Sequence, residues 1–101
     1  DRFISRPSIS SIIETTSNEF GVSEDSILYP KKGRGMTNTA RKVAMYIAHR
    51  KYGYLLSEIA LALQIKHYGG VASAISLINE KIEKMPEILI QINSIMKRLD
   101  P

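Results

Sequence analysis

The sequence contains no cysteine, which excludes disulfides and thiolate metal sites and fits a reducing compartment. No apolar run approaches the roughly 18 residues needed to span a bilayer, and no signal peptide is visible. The expected setting is therefore cytoplasmic, with no membrane partner. Only two histidines occur, His49 and His67, and they show neither HxH nor HExxH spacing, so no metal site and no cofactor is expected. No catalytic constellation stands out either. Acid is missing from one long stretch: the 32 residues from Ser26 to Ser57 hold no Asp or Glu. Alternation with a period of two is absent throughout, so strands are not expected and the domain reads as all-helical.

The acid-free stretch is where the cations gather. Lys31, Lys32, Arg34, Arg41, Lys42, Arg50 and Lys51 all fall in it, while Glu14, Glu19, Glu24 and Asp25 precede it and the other carboxylates occupy the last third. The total, a net charge of +4, favours a polyanionic partner, and the clustering says more than the total does. A charge run is most often a solvated face; a run with no acid to offset it points further, to a basic surface. The length of 101 residues suits one domain with a modest core and is too short for two. The first residue is Asp1, which fits a piece of a longer protein. Residues 1–7 read as a linker remnant and residues 8–101 as the domain.

Along the chain, residues 8–20 place Ile9, Ile12, Ile13 and Phe20 at helical spacing, with Ser11 and Glu14 positioned as a capping box and Gly21 as the stop. Ser23 then caps a short turn with Glu24 and Asp25 at its positive end. Residues 29–37 read as a loop, because Pro30, Gly33 and Gly35 oppose regular structure. Glycines beside cations let a backbone lie close to a phosphate; a plain surface loop has the same composition. Asn38 or Thr39 caps the next helix, which runs to about Tyr52 before Gly53 stops it and carries a stripe of Ala40, Val43, Ala44, Ile47 and Ala48. Tyr46, Tyr52 and Tyr54 read as core or helix-edge residues.

Residues 55–82 are the centre of the chain. A short helix over 56–63, without a good cap, turns Ile59, Ala60 and Leu63 inward. A polar break over 64–70 follows, and then a helix with Val71, Ile75, Ile78 and Ile82 on one face. That outline is a helix-turn-helix, whose second helix can enter the major groove. Pro86 opens a last helix with a stripe of Ile88, Ile92, Ile95 and Leu99, widened by Leu89 and Met96.

Three ordered motifs, Ala40–Ala48 (ARKVAMYIA), Ser57–Leu63 (SEIALAL) and Val71 with Ala74, resemble the C-terminal DNA-binding domain of the bacterial replication initiator DnaA. The upstream GVSEDSIL fits as well, so the similarity covers nearly all of residues 8–82. The resemblance implies an all-α, compact domain of about five to six helices, of the DnaA domain IV or Trp repressor-like kind. It also implies a bacterial, nucleoid-associated setting. Where DnaA carries Asp-His-Thr-Thr, this chain has His67, Tyr68, Gly69 and Gly70, and Ala60 stands where a glycine is usual. Tyr68, Gly69, Gly70, Val71, Ser73, Ala74 and Ile75, with the Asn38–Ala44 start and Met85–Glu87, are more similar to the C-terminal domain of REP-associated tyrosine transposases. That resemblance implies an upstream catalytic domain in the same chain. Such transposases use a tyrosine nucleophile together with metal-binding histidines, which these residues lack, so the fragment is expected to be non-catalytic.

The expected partner is double-stranded DNA. Lys31, Lys32 and Arg34 would contact phosphates or reach the minor groove, and Thr37, Asn38, Arg41 and Lys42 would hold the backbone. Lys66, His67, Tyr68, Gly69, Gly70 and Ser73 sit at the entrance of the recognition helix, where side chains meet base edges. Tyr68 can equally be a packed staple residue, and the glycine pair offers close approach rather than base reading. Two other readings remain open: a replication-initiator-like or regulatory DNA-binding domain, and a helical protein-interaction module whose Ile-rich last helix packs on a partner.

Overall fold

The computed structural model describes residues 6–29 and 35–100, the side chains of 35–38 excepted. Among these residues the secondary structure is helical: α1 Ile9–Phe20, α2 Glu24–Leu28, α3 Gly35–Tyr46 continued by a π-helical turn Ile47–Lys51, α4 Leu56–Ala62, α5 Tyr68–Lys84 and α6 Pro86–Leu99. The all-α reading holds.

The helix ends show which local signals won. Ser8, not Ser11, caps α1: its hydroxyl accepts from the Ser11 N–H at 3.1 Å, so the helix takes in Ile9, which packs on the core. Gly21 closes α1 in the left-handed region (φ 69°), and the Val22 N–H reaches back to the Ser17 carbonyl at 3.0 Å. Ser23 caps α2 as expected, accepting from Ser26 N–H at 3.2 Å. The start of α3 differs from the expectation. It begins at Gly35, so Asn38 and Thr39 lie inside the helix rather than at its cap. A glycine weakens a helix interior but is well tolerated at an end, and residues 36–39 contain nothing that forbids helix. The stop at Gly53 (φ 72°) holds, reached through the π turn.

The sequence offers no cap for α4, and the structure supplies one from inside the helix. The Glu58 carboxylate reaches back to accept from the Leu55 N–H at 2.8 Å, half of a capping box whose serine is replaced by leucine.

The core is a single cluster in which α3 packs on α1, α2 and α5, while α6 closes the far side against α1 and α5. The small residues Ala40, Ala44 and Ala48 of α3 are all buried, which lets its neighbours approach closely. Ile88, Ile92 and Ile95 of α6 are buried in this same core, whereas Leu89 is 40% exposed and does not widen the stripe. The Ile-rich face is thus used within the chain. At the other edge of α6, Glu19 of α1 accepts from Ser94 Oγ at 2.9 Å and lies 3.8 Å from the Arg98 guanidinium.

Arg6 and Pro7, read as part of a linker, are held by the fold. The Tyr54 hydroxyl donates to the Pro7 carbonyl at 2.7 Å, the Arg6 guanidinium lies 3.8 Å from the Tyr54 ring centroid, and it donates to the Tyr52 carbonyl at 3.1 Å. Tyr46 is buried and Tyr52 and Tyr54 are half-buried against the core, as the sequence predicts.

Candidate nucleic-acid interface

Helices α4 and α5 form the helix-turn-helix, and the physics of the turn between them decides what α5 presents. The last turn of α4 ends in a Schellman arrangement: Ile65 N–H donates to the Ala60 carbonyl at 2.8 Å and Gln64 N–H to the Leu61 carbonyl at 3.3 Å. The residue in the left-handed position is Gln64, at φ 57°, where a glycine is the usual occupant. The break is shorter than the sequence suggests. Helix α5 starts at Tyr68, which places Gly69 and Gly70 in its first turn rather than in the connection.

Val71, Ala74, Ile75 and Ile78 are buried on the inner face of α5. Lys66, His67, Tyr68, Gly69, Gly70 and Ser73 are all exposed. The helical period turns Ser73 away from the inner face, whereas Tyr68, three residues before Val71, shares its side of the helix and lies open at the first position of α5. Tyr68 is 62% exposed, so the staple reading is not the one adopted. No side chain caps α5; the Gly70 N–H turns back to the His67 carbonyl at 2.9 Å, and the Tyr68 and Gly69 amides precede it at the open start of the helix. The glycine pair has no internal reason to be glycine. Neither has positive φ, a Cβ on Gly69 would meet nothing within 4 Å, and one on Gly70 would make an ordinary 3.5 Å contact with Ile65.

Beside Tyr68 the surface dips into an open groove of about 380 Å³ lined by His49, Leu55, Leu56, Ser57 and Tyr68. The His49 Nδ1–H donates to the Tyr54 carbonyl at 2.9 Å, which fixes the tautomer and leaves Nε2 as the free ring nitrogen. His49, Leu55 and Ser57 were not among the expected site residues. The one hint in the sequence was Leu55, a leucine where a capping serine or aspartate would help the helix.

The remaining expected residues fall into three groups. Lys31, Lys32 and Arg34 lie outside the described residues, as do the side chains of Thr37 and Asn38, whose backbone belongs to the first turns of α3. Lys42 is half-buried on α3. Arg41 is committed inside the protein: Nη1 donates to the carbonyls of Ile27 and Leu28, the latter at 3.2 Å, and Nη2 to that of Leu63 at 3.0 Å. Burial lowers its pKa from the ordinary arginine value, since the charged form is partly desolvated. Guanidinium remains charged at any physiological pH.

Among the described residues no group of three or more His, Asp or Glu is placed to hold a metal ion, and no helix is long and apolar enough to cross a membrane. Compared with known proteins, residues 9–78 match the family described as the bacterial DnaA protein helix-turn-helix. The matched span runs from the start of α1 into α5 and so takes in the whole turn described above. No curated protein matches the chain.

Proposed function

Because this chain belongs to the bacterial DnaA protein helix-turn-helix family, we propose that it binds double-stranded DNA as the targeting domain of a transposase, delivering its parent to repeat or element-end sequences. Membership makes it a DNA-binding helix-turn-helix domain. The finer assignment rests on the departure from DnaA at His67, Tyr68, Gly69 and Gly70, and on the similarity of Tyr68-Gly69-Gly70-Val71 to transposase-linked domains. An upstream catalytic domain in the same chain belongs to that finer assignment.

The observation that carries DNA binding is the first turn of α5. Lys66, His67, Tyr68 and Ser73 stand exposed there around two glycines that the fold itself does not require. In this reading the glycines let the sugar-phosphate chain come close, Lys66 and the α5 amides meet phosphates, and His67, Tyr68 and Ser73 face base edges. Lys42, with Thr37 and Asn38 at the start of α3, holds the flanking backbone. Lys31, Lys32 and Arg34 supply charge from the acid-free stretch.

Fluorescence anisotropy on short duplexes tests this. With about six phosphate contacts, affinity should fall roughly a thousandfold between 50 and 200 mM salt. Absence of binding at low salt, including to terminal repeats of its own genome, would sink the reading. The sequence upstream separates the two DNA-binding parents: an HxH motif with a later tyrosine supports the transposase, a Walker A loop an initiator. An interaction module built on the isoleucine stripe of α6 is disfavoured, because that stripe is already buried within the chain.

A further inference from the structure

Two ties cross from the helix-turn-helix turn to the end of α2. The first is Arg41, which bonds the Ile27 and Leu28 carbonyls with one arm and, with the other, the Leu63 carbonyl at the end of α4. The second is Gln64, the next residue of the turn, whose Nε2–H donates to the Tyr29 hydroxyl at 3.3 Å. Gln64 is the one non-glycine residue with positive φ among those described, at φ 57°. A glycine would occupy that position without strain, but it would have no side chain to reach Tyr29. The strained choice therefore coincides with the contact. Tyr29 and Leu28 immediately precede, in sequence, the segment that carries Lys31, Lys32 and Arg34.

We propose that Arg41 and Gln64 are positioning residues that fix the α4–α5 turn against the end of α2. They hold the first turn of α5 at a set separation from the end of α2, which the basic stretch follows in sequence. The inference rests on the DNA-binding reading above and assigns Arg41 to this tie instead of to a phosphate. Two segments that contact one duplex at a fixed spacing bind it together. When the spacing is loose, each contact must be ordered separately and part of the joint affinity is lost.

Gln64→Gly is the central test, because it separates positioning from stability. Removing the strain should leave the melting temperature equal or higher, while duplex affinity falls about tenfold, within the range found for coupled sites. Tyr29→Phe removes the same hydrogen bond from its other end and should weaken binding too. The double variant should bind no more weakly than Gln64→Gly alone. Arg41→Met, measured where circular dichroism shows it folded, should weaken binding with the salt slope unchanged. A phosphate contact would instead lower the slope by about 0.9.

Unchanged affinity in Gln64→Gly would reduce the tie to packing and overturn the proposal. So would additive losses in the Gln64 and Tyr29 variants, which would mean that each side chain touches DNA by itself, and so would a reduced slope in the Arg41 variant. Should Arg41→Met fail to fold, the Gln64 and Tyr29 pair still decides. Wild-type protein that binds no duplex at low salt would remove the DNA-binding reading and this inference with it, a result distinct from any variant effect.

Discussion

The Tyr54 hydroxyl donates to the carbonyl of Pro7, 47 residues earlier, at 2.7 Å, and the same ring lies under the Arg6 guanidinium. Three elements meet at this tyrosine, since its own carbonyl accepts from His49 of the π turn. The residues ahead of α1 are thereby joined to the corner that leads into the helix-turn-helix.

Tyr54→Phe should cost about 1 kcal/mol, the net worth of one hydrogen bond, and lower Tm by roughly 4–8 °C in a domain of this size. Removing residues 1–7 should cost at least as much, because the cation–π contact goes as well. Thermal melts of the two variants check this. A truncated chain that melts with the wild type would show that Arg6 and Pro7 contribute nothing.

Gly69→Ala should separate folding from binding. The added methyl meets nothing within 4 Å and the backbone is helical, so stability should rise by about 0.5–1 kcal/mol. Duplex affinity should fall if the sugar-phosphate chain approaches that surface. Melting and anisotropy on one sample measure both, and a variant that binds as tightly as wild type would place the approach elsewhere on α5.

Tyr52 should make the domain sensitive to alkali. Burial, and then the negative charge of Asp100, raise its pKa above the ordinary tyrosine value of about 10. The unfolded chain therefore loses this proton before the folded one does. The stability contributed is fully present below about pH 10 and is lost as pH rises through and beyond it. The difference between wild type and Tyr52→Phe in denaturant melts from pH 8 to 11 isolates the effect. Because the Tyr52 hydroxyl oxygen is buried without a hydrogen-bond partner, the phenylalanine variant should be at least as stable at neutral pH.

Glu58→Ala should destabilise by about 1 kcal/mol through the Leu55 N–H it leaves uncapped, with Glu58→Gln recovering most of the loss. An alanine variant as stable as wild type, by urea titration, would mean that water caps α4 equally well.

Much of the fold was legible because it depends on local rules. The apolar stripes of α3, α5 and α6, the stops at Gly21 and Gly53 and the Ser23 cap follow from spacing and backbone preference, and they hold. The outward side of Ser73 was legible for the same reason, since Val71 and Ile75 point inward; the exposure of Tyr68, which shares their side of the helix, was not. Cap competition was harder to read. Ser8 and Ser11 are both plausible caps, and the burial available to Ile9 chose between them.

What the sequence determined by itself is an all-helical, basic domain with a helix-turn-helix of the DnaA kind, since helical period, charge distribution and motif order are properties of the chain alone. What only the tertiary structure decided is where long side chains go. Arg41 lies in sequence among other cations and reads as a phosphate contact. Three carbonyls from segments 13 to 22 residues distant claim it, since a carbonyl left bare at a half-buried helix end needs a donor. Gln64 is strained and Tyr54 holds Pro7 for the same physical reason: partners far apart in sequence meet only when the core has brought their helices together.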